Sequence, residues 1–300
     1  MTATMGRSVT TPLLITLVAE GALSAGDAAV ASDALHGLGA APGRPAWIDP
    51  GDALDLGVTG ADQPTTRAVL EAALPHLDII VQPADAPRRK ALIIADMDST
   101  MIQCECIDEL ADYAGLKAEV AAVTEAAMRG DLDFAAALDA RVALLAGMDA
   151  AVIDQCRRER VRLTPGATTL VRTMAASGAH SILISGGFTA FAQPVAAEIG
   201  FAAVHANVLR IADGRLTGHV ERPIVDAAAK RAALLGAGFD LAATLAVGDG
   251  ANDIPMLEAA GLGIAFHAKP RAAAAAAAAV RHGDLTVLLR AQGYARRDWA

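Results

Sequence analysis

Residues 12–19 form a short, almost uninterrupted apolar run, and residues 25–38 then space their apolar side chains as a helix does, up to Gly39. Weak strand signals over 46–58 are broken by Pro50 and Gly51, residues 63–74 return to helical spacing, and 77–82 is again strand-like. The order strand, helix, strands, helix, strand predicts a small ferredoxin-like α+β unit over residues 1–85. Residues 83–90 (PADAPRRK) carry two prolines and three consecutive cations and read as a linker, so residues 86–300 are expected to fold without the first unit.

Beyond the linker the pattern changes. Residues 91–95 (ALIIA) are a continuous apolar run, as a strand covered on both faces requires. Residues 107–160 are helical in pattern almost throughout, with breaks near Gly115, Gly130 and Gly147. Apolar strand runs follow at 180–184, 245–247 and 261–266, alternating with helical segments. This predicts an α/β fold: a parallel, Rossmann-like sheet with helices on both faces and a helical cap inserted at about 104–166. The alanine run 272–279, just after Pro270, reads as a plain helix.

Composition narrows the function classes. A chain of 300 residues, 54% hydrophobic and 20% charged, can bury a large core in about two domains. A net charge of −9 without a basic stripe argues against gripping a nucleic-acid backbone, and 3% aromatic residues leave little for base stacking. Three cysteines make no disulfide framework. No apolar run approaches the ~20 residues of a membrane span. Residues 11–25 follow Arg7 and end in small residues, as a secretory leader can, but Glu20 interrupts the run. It reads as a first strand, and a cytoplasmic location is expected.

The chemistry concentrates after the apolar strands. Asp96, Asp98 and Thr100 directly follow ALIIA, at the end of a parallel strand where ligands bind. Two carboxylates so close repel each other unless a proton or cation intervenes, and Mg²⁺ suits carboxylate and phosphate oxygens. A second acidic cluster, Gly248, Asp249, Gly250, Asn252 and Asp253, follows another strand. Between the two clusters Ser185, Gly186 and Gly187 make a glycine-rich turn with a hydroxyl, a candidate anion cradle. Lys230 lies between that turn and the second cluster and can offer a point charge to a phosphate.

Competing motifs fail on particular residues. A calcium loop beginning at Asp96 would need glycine where Met101 stands and glutamate where Ile107 stands. A dinucleotide fingerprint from Gly248 would need glycine at Asp253. No Walker lysine follows a glycine-rich turn, and Leu183 occupies the place of a nucleophile elbow's first glycine. Cys104 and Cys106 are too close together and too isolated for a zinc site.

On these residues the sequence resembles the haloacid-dehalogenase-like phosphatases, over residues 90–295, roughly 70% of the chain. Within that family it is similar to the branch that acts on phosphoserine. Residues 105–111 (ECIDELA) and 124–145 (TEAAMRGDLDFAAALDARVALL) resemble that branch's cap region. The resemblance implies hydrolysis of phosphoserine in serine biosynthesis, with Asp96 as nucleophile and Asp98 as proton donor and acceptor. It implies Mg²⁺ held by Asp96, Asp98 and Asp249, with Asp253 in support. Ser185, Gly186, Lys230 and Asn252 would meet the phosphate, Arg141 the substrate carboxylate and Glu105 its ammonium, with Met128 and Phe134 beside them. Phe134 and Arg141, seven apart, share one helix face.

The first unit resembles the ACT-type regulatory domains attached to some members of the family, and no ligand residue carries over. The substrate would be a small molecule, with no nucleic-acid or membrane partner. A homodimer and an amino-acid effector at the first unit stay open. So do another small phosphomonoester as substrate and a non-enzymatic amino-acid sensor as the overall role.

Overall fold

The structure, a computed structural model, describes residues 11–129 and 131–300, without the side chains of residues 128 and 129. The first run is β1 (Leu13–Val18). Helix α1 (Ala25–Gly37) begins at a capping box, in which the Ser24 hydroxyl accepts the Asp27 N–H and the Asp27 carboxylate accepts the Ser24 N–H. After the short β2 (Ala41–Pro42), the interrupted stretch resolves into a hairpin of β3 (Ala46–Asp49) and β4 (Ala53–Thr59), turning at Gly51 with φ 86°. Helix α2 (Gln63–Ala73) is capped by Asp62, which accepts the Thr65 N–H, and β5 (Asp78–Pro83) completes the unit. The strand order β2-β4-β1-β5 is the ferredoxin-like one. Leu13, Ile15 and Leu17 bury one face of β1 in a cluster with Leu35 and Leu70 of the two helices.

The second sheet begins at β6 (Leu92–Ala95), after which four helices form the insertion: α3 (Cys106–Tyr113), α4 (Lys117–Arg129), α5 (Phe134–Leu144) and α6 (Ala151–Arg160). Then come α7 (Ala167–Ala176), β7 (His180–Phe188), α8 (Thr189–Ile199) and β8 (Ala203–Asn207). A hairpin of β9 (Leu209–Ala212) and β10 (Arg215–Val220) reaches back to the cap. There Gly147 N–H meets the Leu216 carbonyl at 2.8 Å and Leu216 N–H the Met148 carbonyl at 2.9 Å. Helix α9 (Ala227–Gly236), β11 (Thr244–Gly248), α10 (Ile254–Ala259) and β12 (Leu262–Phe266) follow.

The parallel strands run in the order β12-β11-β6-β7-β8. From β6 the chain winds outward through β7 and β8, then returns to the other side of β6 at β11. The winding therefore reverses between β6 and β11, and in open α/β sheets ligands bind at such a switch point. Alternate residues of β6 enter cores on opposite faces, Ile93 and Ala95 in one, Leu92 and Ile94 in the other. That two-sided burial explains why the strand is apolar throughout.

The alanine run departs from the expected single helix. It divides into α11 (Pro270–Ala275) and β13 (Ala278–Val280), with Ala276 in extended backbone at φ −72° and ψ 154°. Strand β13 pairs in parallel with β12 and antiparallel with β5, where Ala279 faces Ile79. Two neighbouring ladders override alanine's helical preference, a weak local bias.

Strand β13 thus joins both units into one eleven-stranded sheet. Buried Asp78 accepts the backbone N–H groups of Arg281 (2.6 Å), His282 (3.2 Å) and Gly283 (2.7 Å). Gln82 donates to the Ala291 carbonyl at 2.7 Å, and Arg67 to those of Ala276 (2.5 Å) and Ala273 (3.0 Å). Helix α12 (Val287–Ala291) packs on β1 and carries buried Arg290 to Asp49 and Asp52. These contacts cross the boundary expected near residue 85, and no local signal at the linker reveals them.

Removing residues 1–85 strips β13 of a neighbour and leaves the donors to Asp78 unpaired. The truncated chain is expected to lose soluble yield and to aggregate in size-exclusion chromatography. Asp78→Ala in the full chain is expected to lower the unfolding free energy by about 3 kcal/mol, read from urea denaturation.

Candidate active site

The switch point places acidic side chains from two strand ends together. Asp96 ends the β6 run, with its N–H on the Val247 carbonyl of β11 at 2.9 Å. Its Oδ1 accepts from the Met97 N–H at 2.8 Å and from Lys230 Nζ at 2.7 Å. The chain then makes a tight irregular turn over Met97–Met101, in which Ser99 takes the left-handed conformation (φ 55°). This turn aims Asp98 across the site, where its Oδ1 accepts the Cys106 N–H at 3.2 Å. The Ser99 hydroxyl donates to Glu105 at 2.8 Å, tying the entrance of the cap to the turn.

Helix α9 supplies Lys230, wholly buried, with its ammonium 2.7 Å from both Asp96 and Asp253. The helix starts at Asp226, whose side chain accepts the Ala229 N–H. Asp253 is also buried and accepts the Gly250 N–H at 3.0 Å, while the Asn252 side chain lies over Gly250, where a Cβ would stand. Asp249, at the end of β11, is 7% exposed and faces Lys269 at 3.9 Å.

Asp96, Asp249 and Asp253 each offer a carboxylate oxygen, all within 4.8 Å of one another. Three carboxylates around one ammonium leave an excess of negative charge in a poorly solvated place. Burial, then the charge of Asp253, pushes Asp96 well above the usual carboxylate range, against the pull of Lys230. Burial, then Glu105, pushes Asp98 up to about 7. Burial raises Asp249 to about 6, with Lys269 opposing. Burial would lower Lys230, but the charges of Asp96 and Asp253 outweigh it and hold the ammonium protonated. A compact all-oxygen donor set with this imbalance fits a hard divalent cation.

Opposite Asp98 runs the Ser185, Gly186 and Gly187 turn. The β7–β8 register breaks between Ile184 and Phe188, so the turn bulges from the sheet. Ser185 is fully buried, and its Oγ accepts the Gly187 N–H at 2.8 Å. A Cβ on Gly187 would stand 2.7 Å from Asp98 Oδ2, so only glycine permits this approach. Gly186 is as close to the cap, with Phe134 Cζ 3.0 Å from where its Cβ would be.

Phe134 opens α5 behind the Asp133 cap, and Arg141 follows two turns later. Arg141 is partly buried, which lowers its affinity for the proton, and Asp108, Glu105 and Asp98 oppose that effect. The structure thus gathers Asp96, Asp98, Ser185, Gly186, Lys230, Asp249 and Asp253 around one point, with Glu105, Phe134 and Arg141 on the cap side and Asn252 over the second acidic loop. The Met128 side chain lies outside the described residues. Two polar neighbours went unnoticed in the sequence: Lys269, and Asn207 at the end of β8, which contacts Gly186. Their only signal was position just after apolar strands.

The sequence profile of the haloacid dehalogenase-like hydrolases matches residues 93–258, more than half of the chain, and the protein belongs to that family. A phosphoserine phosphatase of Streptomyces coelicolor is 47% identical over 256 residues, covering 83% of this chain and 62% of the relative. The chain therefore spans less than two thirds of that relative's length. The fold is similar to that of a probable phosphoserine phosphatase from Vibrio cholerae in unliganded form, with TM-score 0.76 and 34% identity over 96% of this chain and 88% of that one. It is also similar to a phospho-aspartyl intermediate analogue of phosphoserine phosphatase, with TM-score 0.62 and 37% identity over 67% of this chain and 98% of that one.

Millimolar Mg²⁺ or Mn²⁺ is expected to raise the melting temperature of the wild-type chain, since a ligand at 100 times its Kd stabilises by about 2.7 kcal/mol. Asp249→Asn is expected to remove most of that rise in differential scanning fluorimetry.

Proposed function

We propose that the protein is a Mg²⁺-dependent phosphoserine phosphatase working through an aspartyl-phosphate. The observation that carries this reading is the buried Asp96 carboxylate, oriented by Lys230 and the Met97 N–H, with Asp98 two residues on set against the glycine turn at Gly187. The phosphoserine phosphatases to which the chain is similar support the substrate, as do the charges on the cap.

Asp96 attacks phosphorus in line, forming an O–P bond as the bond to the serine oxygen breaks. Asp98, two residues on, hands a proton to the departing oxygen and then takes one from the water that hydrolyses the acyl phosphate. Ser185, the Gly186 amide, Lys230 and Asn252 hold the phosphoryl oxygens, preorganised so that no rearrangement is needed as charge shifts. Asp96, Asp249 and the Asp98 main chain would hold Mg²⁺, with Asp253 supporting the site and Lys230. The metal would supply neutralisation of charge on the transferring group.

The cap reads the amino-acid end. The Arg141 guanidinium is suited to fork onto the substrate carboxylate, and Glu105 to pair with its ammonium. Phe134 would give apolar contact on the cap side. The chain's three cysteines are free and two are buried, which suits a reducing, cytoplasmic setting. No helix among the described residues is long and apolar enough to cross a membrane.

Asp96→Asn is expected to reduce phosphate release from L-phosphoserine to background and to abolish ³²P labelling of the chain. Label retained at the wild-type level would contradict the nucleophile. Arg141→Ala is expected to raise KM for phosphoserine about 10- to 100-fold, while leaving KM for an aryl phosphate within about threefold. Equal losses on both substrates would leave a phosphatase but remove phosphoserine as its target.

A further inference from the structure

Asn207 is 2% exposed and ends β8, where the ladder with β7 resumes beyond the bulged glycine turn. Its side-chain amide is used at both ends. Nδ2 donates to the Gly186 carbonyl at 2.8 Å and, more weakly, to the Val225 carbonyl at 3.5 Å. Oδ1 accepts the Val225 N–H at 2.7 Å. A backbone N–H can only donate, so it fixes which end of the amide faces Val225 and leaves Nδ2 for Gly186.

The consequence passes through one peptide plane. The Gly186 carbonyl and the Gly187 N–H belong to the same rigid amide. Pinning the carbonyl therefore sets the direction of that N–H, which donates to Ser185 Oγ at 2.8 Å. With a donor already on its oxygen, the Ser185 hydroxyl keeps its own proton for an anion. The other end of the Asn207 amide holds the segment that leads through the Asp226 cap into α9, which carries Lys230. One side chain thus ties together the glycine turn, at Gly186, and the segment that enters α9, at Val225. The bulge removes the ordinary ladder bonds here, and glycines at 186 and 187 would otherwise leave the turn conformationally free.

We propose that Asn207 is the positioning residue of the anion cradle, fixing the Gly186–Gly187 peptide and the start of α9 so that Ser185 and Lys230 meet one phosphoryl group together. The inference rests on the phosphatase reading for its catalytic readout, but its anion-binding readout is independent of turnover. Asn207→Asp is the informative substitution. It is nearly isosteric and still accepts from Val225, but it sets an oxygen against the Gly186 carbonyl. Asn207→Ala removes both arms.

Three measurements test the proposal on the full chain with Mg²⁺ present. Binding of inorganic phosphate by calorimetry is expected to weaken at least about 10-fold in both variants. Their kcat is expected to fall by about 10- to 100-fold, since a misplacement of order 1 Å can cost that much. The loss should be equal for phosphoserine and an aryl phosphate, because the amino-acid end is read elsewhere. In the wild-type chain, NMR shifts of the Asn207 side-chain amide and the Gly187 N–H should move together on titration with phosphate, a readout that does not require either variant to fold.

Unchanged phosphate affinity in a folded variant, or an Asn207 amide that ignores phosphate while Gly187 responds, overturns the proposal. A wild-type chain that binds phosphate but releases none from any ester would instead sink the phosphatase reading and leave the positioning of the anion testable by affinity alone.

Discussion

The buried ammonium of Lys230, 2.7 Å from Asp96 and equally far from Asp253, is the contact on which the site depends. It links the end of β6, the body of α9 and the loop after β11, three elements distant in sequence. Removing one partner from such a buried pair typically costs several kcal/mol, because the remaining charge has neither water nor a counterion. One cation cannot balance the carboxylates crowded at this point, and the residual charge makes the site receptive to a divalent ion and a phosphate. Burial, with the charge of Glu105 adding to it, lifts Asp98 to about 7, and burial lifts Asp249 to about 6.

Around that centre the fold separates two tasks. The sheet holds reacting groups on strand ends and on one buried helix, where backbone ladders limit movement. The insertion brings Phe134 against Gly186, and Ser99 joins Glu105 to the turn after β6. The β9–β10 hairpin is threaded from the core onto the cap by main-chain hydrogen bonds. Gly218 in that hairpin, at φ 83°, packs so closely that a Cβ would fall 2.9 Å from Ala146. Groups that read the far end of a substrate are thereby tied to groups that act on its phosphate.

The N-terminal unit is bound into this architecture rather than hung from it. Its β5 strand and the buried Asp78 cover the open side of β13, and α12 from the far end of the chain covers β1. Arg290, buried beside Trp299 with its guanidinium 4.6 Å from the ring, pairs with acidic residues of the β3–β4 hairpin. The strands run side by side without a gap from β5 through β13 and β12 to β11.

Much of this was legible in residue order. The apolar runs at 91–95, 180–184 and 245–247, alternating with helical segments, fit strands of a covered parallel sheet, in which the residues after them lie along one edge. Helical breaks near Gly115 and Gly147 marked divisions of the cap, since glycine ends helices cheaply, while Gly130 lies outside the described residues. What stayed hidden depended on neighbours distant in sequence. The alanine run became half strand because β12 and β5 flanked it, and no residue within the run states that. Asn207 acquired partners at Gly186 and Val225 only when β8 came beside β7. The sequence by itself determined the fold class and the reacting residue types, because periodicity and motif spacing are local. The tertiary structure alone decided which charges share a buried space and which amide steadies which turn, because those interactions exist only once distant segments meet.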